Sequence, residues 1–247
     1  MIKRILVVGG SNGIGLSIAV ELASRKEVEK VYVVDKATFP NEYANEKIMP
    51  YRFDLTNDDY SLFDQFSDIN ALMVTAGFGR LALFKNVPES YIKDSFEVNT
   101  IPVLRLIKHF YPHLEGKEDF YCGVMVSIAG YMSSPFFAVY GATKAALKIF
   151  IESVNVELEK GGSSNKILNV SPGSIKGTSF NAGETDLSQT QDLAKGIIAH
   201  LENKDDLFIP QYDEIFKAVL QRYNEDFRRE GLHSYDYKLN SGRIKTK

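Results

Sequence analysis

Seven short apolar runs, most of them rich in β-branched residues, recur along the chain and are separated by amphipathic segments. The runs lie at 2–8, 31–35, 48–54, 71–76, 123–128, 166–171 and 206–210. Helical spacing of apolar residues is found near 14–26, 58–66, 88–112, 138–159 and 189–202. Strands that alternate with helices form βαβ units, whose strands are parallel and whose helices cover both faces of the sheet. The sequence therefore predicts an α/β fold with a doubly wound, seven-stranded parallel sheet.

The part of the chain before about residue 210 contains no internal repeat, low-complexity linker or shift in composition. We therefore expect one domain over residues 1–210 and a C-terminal segment, residues 211–247, that packs on this domain or extends from it. Apolar residues at i, i+4 and i+8 spacing predict a helix over 211–227. After Gly231 the chain is polar and basic, which favours a mobile tail. A contact between subunits or with an anionic surface is the alternative.

Composition limits the kinds of partner. The 247 residues carry a formal net charge of -3 with 25% charged residues, which gives no indication of nucleic-acid binding. The single cysteine, Cys122, excludes an internal disulfide and fits a reducing, cytoplasmic location. No histidine has the spacing of a metal ligand, so no metal site is expected. No apolar stretch approaches the ~20 residues that span a bilayer, and the run after Arg4 is too short for a signal peptide.

Glycines follow the first predicted strand directly. In VVGGSNGIGLSIAVELA they stand in a G-x-x-x-G-x-G spacing and open a helix. Glycines at such a junction allow a tight turn and a close approach of the backbone to a pyrophosphate, while the helix N-terminus offers N–H groups and a positive dipole end. The sequence therefore predicts a nucleotide site here. The loop residues expected to contact the nucleotide are Gly9, Ser11, Asn12, Gly13, Ile14 and Gly15.

The second predicted strand ends in Asp35, twenty residues after Gly15. A carboxylate at this point can accept hydrogen bonds from the adenosine ribose hydroxyls of NAD, and it repels the 2′-phosphate of NADP. Lys36 is a neighbouring cation that could hold that phosphate, and an Asp that only starts a turn before Pro40 is the structural alternative. Because the glycine loop itself contains no Arg or Lys, NAD is the preferred cofactor and NADP stays open.

Tyr140 and Lys144 are four residues apart in FFAVYGATKAALKIF, a segment with helical spacing. Positions i and i+4 lie on one face of a helix, so the phenol and the ammonium are expected side by side. Taken alone, such a pair is usually a solvated helix edge. Near a redox cofactor it has a chemical use, because a nearby ammonium favours the phenolate and lowers the pKa of a Tyr from its ordinary value near ~10 towards the working range of an acid or base.

With these two motifs, the chain resembles the short-chain dehydrogenase/reductase family, in its single-domain branch, over residues 2–210. Four further segments agree with the family in order and spacing: FDLTN, VTAG, FEVNT and MVSIAG. The Ser of MVSIAG lies thirteen residues before Tyr140. A fifth segment, SPGSIKGT, follows them along the chain. Val8 stands where the family has a Thr, so a turn-stabilising hydrogen bond is expected to be absent. Thr75 stands where the family has an Asn.

The resemblance implies a Rossmann-type fold and a role for each matching residue. Tyr140 is the acid/base and Ser127 donates to the substrate oxygen, which is an oxyanion-type role. Lys144 holds the nicotinamide ribose, and Asn99 kinks its helix and positions a water that links Lys144 to solvent. The cofactor contacts implied beyond the glycine loop and Asp35 are Asp54, Leu55, Ala76, Gly77, Tyr140, Lys144, Pro172, Gly173, Ile175 and Thr178.

These residues predict an NAD(P)-dependent oxidoreductase that interconverts a hydroxyl and a carbonyl group by hydride transfer. The segment after Ser127 supplies an apolar wall, which suits a small hydrophobic substrate, and the short loop 174–188 predicts a pocket open on one side. A non-catalytic dinucleotide sensor is the alternative, although the intact set of Asn99, Ser127, Tyr140 and Lys144 argues against it. By resemblance, the long helices 88–112 and 138–159 would build a homodimer or homotetramer.

Overall fold

The computed structural model describes residues 1–178, 180, 184–241 and 244, and its centre is a single parallel sheet. The strand order is β3-β2-β1-β4-β5-β6-β7, which is the order of a doubly wound Rossmann-type sheet. This confirms the predicted fold class. The strands are β1 (Arg4–Val8), β2 (Lys30–Asp35), β3 (Ile48–Arg52), β4 (Ala71–Val74), β5 (Tyr121–Met125), β6 (Ile167–Val170) and β7 (Leu207–Phe208).

Eight α-helices surround the sheet within the described residues. They are α1 (Gly13–Ser24), α2 (Glu89–Asn99), α3 (Ile101–His109), α4 (Tyr111–Glu115), α5 (Ala138–Lys160), α6 (Leu187–Glu202), α7 (Lys217–Glu225) and α8 (Phe227–Asn240). A short π-helix, Tyr212–Phe216, precedes α7. None of the helices in these ranges has both the length and the apolar character needed to cross a membrane.

The two sheet faces explain why the strand sequences are almost continuously apolar. In β1, Ile5 and Val7 point into the core beneath α1 and α6, while Leu6 and Val8 point into the core beneath α3 and α5. Successive side chains of a strand point to opposite faces, so nearly every position of a strand covered on both sides faces apolar side chains. The edge strand β3 contains Pro50, which is tolerated because an edge strand can leave one backbone position unpaired.

Prolines divide the helix that was predicted over 88–112. The structure ends α2 at Asn99, begins α3 at Ile101 and begins α4 at Tyr111, with Pro102 and Pro112 in the first turns of α3 and α4. Proline has no N–H for the helical hydrogen bond and disfavours helical geometry in the residue before it, but it fits a first turn. One continuous helix was therefore the wrong prediction.

Two further predictions of local structure differ from what is observed. The segment predicted as a helix at 58–66 forms 3-10 turns over Ser61–Phe66. The chain after Gly231, for which a mobile tail was expected, continues as α8 to Asn240, and Asp226 caps this helix by accepting from the N–H groups of Arg228 and Arg229. Of the predicted basic tail, residues 242–243 and 245–247 lie outside the described residues, as do 179 and 181–183 of the predicted loop 174–188.

Candidate active site

The carboxyl ends of β1, β4, β5 and β6 bring the predicted site residues to one edge of the sheet. In open parallel sheets this edge, near the point where the strand order reverses, is where ligands bind. The reversal here lies between β1 and β4. The glycine loop follows β1, Ala76 and Gly77 follow β4, Ser127 follows β5, and Pro172 and Gly173 follow β6.

The glycine loop is tightly packed, and its glycines are sterically required. Gly9 has a φ of 87°, and a Cβ there would lie 2.5 Å from the backbone nitrogen of Ala76. At Gly15 a Cβ would lie 2.2 Å from the carbonyl oxygen of Gly9. The Thr75 hydroxyl donates to the carbonyl oxygens of Val8 (3.0 Å) and Gly9 (2.9 Å). Thr75 thus anchors the turn from the neighbouring strand, at a loop where Val8 offers no hydroxyl.

The Asp35 carboxylate is fixed at the side of this loop. Its two oxygens accept hydrogen bonds from the backbone N–H groups of Ser11 and Ala37, each at 2.9 Å. The carboxylate therefore lies between the loop and the end of β2 with defined orientation. Each carboxylate oxygen has a further lone pair that can accept from a hydroxyl.

Lys36 and Asp54 form an ion pair next to Asp35. The Lys36 Nζ lies 2.7 Å from Asp54 Oδ2, and the hydroxyl and N–H of Thr56 both donate to the other oxygen. The hydrogen bond from Lys36, with those from Thr56, lowers the pKa of Asp54 to about 2. The next residue, Leu55, is fixed through its carbonyl oxygen, which accepts from the Tyr60 hydroxyl at 2.8 Å.

The segment after β6 contacts the glycine loop at Gly13, where the loop leads into α1. The N–H of Gly13 donates to the Thr185 hydroxyl at 3.2 Å, and a Cβ at Gly13 would lie 3.5 Å from Thr178. The Thr178 hydroxyl donates to the carbonyl oxygen of Ile175 at 3.3 Å. Ile14 packs against the hydrophobic core at the start of α1.

Tyr140 is 8% exposed and is enclosed by aromatic rings. The centroid of its ring lies 5.1 Å from that of Phe180 and 5.3 Å from that of Phe137. Burial raises the pKa of Tyr140 to about 12, against a smaller lowering by its hydrogen bond with Ser127. Lys144 does not contribute to this shift, so the expected lowering of the pKa of Tyr140 by Lys144 is not found. Phe180 thus covers part of Tyr140, while the expectation of a pocket open on one side stays a prediction.

Lys144 lies beside Tyr140 as the helical spacing predicted. Its Nζ is 5.7 Å from the centroid of the Tyr140 ring and donates to the Met125 carbonyl oxygen at 2.8 Å. The side chain is 2% exposed, and this burial lowers the pKa of Lys144 to about 8. A Cβ at Gly77 would lie 3.4 Å from the Lys144 Nζ and 3.2 Å from the Asn99 Oδ1, so the three residues are neighbours.

Asn99 joins the loop after β4 to helix α5. Its amide group donates to the Phe78 carbonyl oxygen (2.9 Å) and to the Thr143 hydroxyl (3.2 Å), and its oxygen accepts from the Phe78 N–H (2.9 Å). The Thr143 hydroxyl in turn donates to the Tyr140 carbonyl oxygen at 2.7 Å. Asn99 is the last residue of α2, and its expected roles in kinking the helix and positioning a water stay predictions.

Ser127 lies two residues beyond the end of β5. Its hydroxyl donates to the Pro172 carbonyl oxygen at 3.4 Å and accepts from the Ala129 N–H at 3.2 Å. The same hydroxyl forms the hydrogen bond that lowers the pKa of Tyr140. The structure thus brings Ser127 and Tyr140 together across the thirteen-residue interval noted in the sequence.

The sequence did not indicate the roles of three residues at the site. Thr75 supports the glycine loop, and Thr143 links Asn99 to α5. The ring of Phe216 packs on Gly173, where an added Cβ would lie 2.5 Å from a ring carbon. The expected apolar wall is only partly present, because the Tyr131 hydroxyl accepts from the Asn169 amide and Phe136 is covered by α8. Phe137 is the wall residue whose ring lies beside Tyr140.

Comparison with known proteins agrees with this arrangement. A family model described as short chain dehydrogenase matches residues 3–189, which is most of the chain. The chain belongs to the short chain dehydrogenase family. Among individual proteins, one relative is an uncharacterised oxidoreductase from Saccharomyces cerevisiae, which is 28% identical to this chain over 193 residues. That match covers 71% of this chain and 60% of the yeast protein, so the chain spans less than two thirds of the relative's length.

Solved short chain dehydrogenase structures have the same fold. A short chain dehydrogenase/reductase from Burkholderia phymatum, in complex with NAD, has a TM-score of 0.78 at 18% identity, with 91% of this chain and 93% of that chain covered. The structure of ElxO with NADP bound has a TM-score of 0.66 at 21% identity, with 86% of this chain and 99% of that chain covered. At these identities the likeness concerns the fold.

Proposed function

We propose that the protein is an NAD(P)-dependent oxidoreductase that interconverts a hydroxyl and a carbonyl group, with Tyr140 as the acid/base. The observation that carries this proposal is the buried cluster of Ser127, Tyr140, Lys144 and Asn99 beside a glycine loop at the ligand-binding edge of the sheet. Asn99 ends α2, Ser127 follows β5, and Tyr140 and Lys144 lie on α5, so three separate elements bring these polar side chains together.

The residues of the glycine loop fit a dinucleotide. The first turn of α1 contains no acidic residue, so no carboxylate there opposes the attraction of a pyrophosphate to the positive dipole end of the helix. Asp35 is oriented by Ser11 and Ala37 to accept from ribose hydroxyls, which favours NAD. Lys36 is already paired with Asp54, which reduces its use as a partner for the 2′-phosphate of NADP. When bound, NAD(P) supplies or accepts the hydride.

The side chains would handle the proton. In the reductive direction, the Tyr140 hydroxyl donates its proton to the oxygen of the former carbonyl group as negative charge develops there. The Ser127 hydroxyl donates a hydrogen bond to the same oxygen. A pKa of about 12 keeps Tyr140 protonated at neutral pH, which is the form that reduction needs. Alcohol oxidation needs the phenolate, so its rate should rise with pH above neutrality while the rate of reduction stays level.

Phe137 and Phe180 favour a hydrophobic, small carbonyl substrate. Both rings contact the Tyr140 ring, and their own centroids are 6.1 Å apart. A flat apolar group that replaces Phe180 over Tyr140 would keep the phenol out of water and retain ring contacts. We therefore choose 1-phenylpropane-1,2-dione as the probe substrate.

Calorimetric titration with NADH and NADPH tests the cofactor site. We expect tighter binding of NADH in the wild type and a lower ratio of NADH to NADPH affinity in Asp35→Ala. The ratio separates a lost ribose contact from a loosened glycine loop, which would weaken both cofactors alike. Asp192→Ala removes an exposed carboxylate on α6 and serves as the control. Binding of neither cofactor by the wild type would refute the proposal.

A homodimer or homotetramer is part of the proposal. Ile149 and Val156, seven residues apart on α5, are 58% and 68% exposed, which is unusual for aliphatic side chains on one helix face. We propose that a second copy covers this face. Light scattering should give a multiple of the 27.7 kDa chain mass, and Val156→Glu should shift it towards the monomer. A monomeric wild type would contradict the assembly. Cys122 is a free thiol whose pKa is raised by burial, and this accords with the proposed cytoplasmic location.

A further inference from the structure

Helix α8 lies against the segment that leads from Ser127 into α5. The Lys238 Nζ donates to the Ser134 hydroxyl at 2.7 Å and to the Pro135 carbonyl oxygen at 2.9 Å. The ring of Tyr235 packs in a tilted arrangement against that of Phe136, with centroids 4.6 Å apart and planes 32° apart. These contacts join residues about a hundred positions apart in the sequence. The C-terminal helix is thereby packed on the loop that borders the catalytic cluster.

Phe136 has a backbone conformation that needs support from its surroundings. Its φ is 67°, in the left-handed region that bulky residues rarely adopt. Such a conformation persists where neighbouring contacts over-determine it. Here the Phe136 carbonyl oxygen accepts from the Ala82 N–H at 2.9 Å, and the Tyr235 ring covers a side chain that is only 5% exposed. Part of this support comes from α8.

Phe137 connects this turn to Tyr140 through direct contacts. Its ring lies 5.3 Å from the Tyr140 ring, and its carbonyl oxygen accepts from the Gly141 N–H at 2.7 Å in the first turn of α5. The Lys238 Nζ also lies 5.6 Å from the centroid of the Phe137 ring. An uninterrupted series of contacts therefore leads from Lys238 through the Ser134–Phe137 turn to the residue proposed as acid/base.

We propose that α8 is part of the active site and that Lys238 is a positioning residue for the proposed reaction. By holding Ser134 and Pro135, Lys238 fixes the turn that places Phe137 against Tyr140 and against the substrate. Phe216, which packs on Gly173 from the same C-terminal segment, supports the opposite side of the site. Helix α8 thus belongs to the catalytic unit, and this assignment rests on the function proposed above.

The test compares Lys238→Met with Lys217→Met, which removes an exposed lysine of α7. With 1-phenylpropane-1,2-dione as the probe, we expect kcat/KM of Lys238→Met to fall by about tenfold, because a wall residue displaced by a fraction of an ångström misorients the reacting groups. The KM and Kd for the dinucleotide should not change. Lys238→Arg should restore most of the rate, since it keeps N–H donors at this position. Equal kcat/KM in Lys238→Met and Lys217→Met would overturn the proposal.

Hydrogen exchange gives a second measurement that does not depend on turnover. The amides of Ala82 and Gly141 donate to Phe136 and Phe137, so their protection reports on the turn directly. Lys238→Met should speed exchange at these two amides and leave the amides of β1 unchanged. If the wild type does not reduce the probe, the proposed function fails for that substrate, while this measurement still decides the role of Lys238. Unchanged exchange at both amides would overturn it.

Discussion

Replacement of Asn99 by alanine removes the link between the loop after β4 and helix α5. The amide group makes three hydrogen bonds, two with the backbone of Phe78 and one with the Thr143 hydroxyl. The side chain is 0% exposed, so water cannot replace these partners without a local opening. The Phe78 N–H and carbonyl groups would each lose a bond, and Thr143 would lose a donor.

The cost follows from the number of bonds and their burial. A typical intramolecular hydrogen bond contributes about 1 kcal/mol net, and a buried group left without a partner costs about 1–3 kcal/mol. For Asn99→Ala we expect a loss of about 3 kcal/mol in the free energy of unfolding, part of which a rearranged Phe78 loop can recover. For a chain of this size, that loss lowers the melting temperature by about 6–12 °C. The rate of probe reduction should fall as well, because Gly77 and Lys144 adjoin Asn99.

Thermal unfolding followed by circular dichroism measures this effect. Asn99→Asp keeps an acceptor for the Phe78 N–H but loses both donors, so its melting temperature should also lie well below that of the wild type. Asn224→Ala, at an exposed position of α7, is the matched control and should stay within about 2 °C of the wild type. If Asn99→Ala unfolds at the same temperature as the control, the bonds to Phe78 do not hold the loop and the reasoning is refuted.

Two further substitutions test the cofactor side of the site. Gly15→Ala places a Cβ 2.2 Å from the Gly9 carbonyl oxygen and should weaken NADH binding strongly. Gly162→Ala is the control, because a Cβ there has no atom within 4 Å and should only lower stability through the φ of 83°. Equal NADH affinities of the two variants would contradict this reasoning. The pKa of Asp54 is lowered from 3.8 to about 2, so its stabilising contribution is present above pH 3.8 and is lost as the pH falls towards 2. The difference in melting temperature between wild type and Asp54→Asn should shrink over that range, and a constant difference would contradict the assignment.

The sheet could be predicted because its strands are buried on both faces. Runs such as Ile5–Val8 have no polar position, and that pattern, alternating with helices, is typical of a parallel sheet. The interruptions of 88–112 were also encoded, by Pro102 and Pro112, but apolar periodicity continued across both and concealed them. Helix α8 was missed because its residues are mostly polar, and its contacts with Ser134 and Phe136 are too distant in sequence for any local pattern to show.

The proposed site was predictable where a short motif fixes the geometry. Helical spacing placed Tyr140 beside Lys144, and the glycine spacing placed the loop after β1. The environment of Tyr140 was not predictable, because Phe137 and Phe180 enclose it from separate loops and reverse the direction of its pKa shift. Thr75 illustrates the same limit, since its support of the Gly9 turn depends on the pairing of β1 with β4.

The most direct test of the central claim compares wild type with Tyr140→Phe in the reduction of 1-phenylpropane-1,2-dione, followed by the absorbance of NADH or NADPH. Tyr91→Phe, which removes a neighbouring hydroxyl that accepts from the Arg80 N–H, is the control. We predict a loss of at least about 100-fold in kcat for Tyr140→Phe with unchanged dinucleotide affinity, and a rate near that of the wild type for Tyr91→Phe. Equal rates in wild type and Tyr140→Phe would contradict Tyr140 as the acid/base.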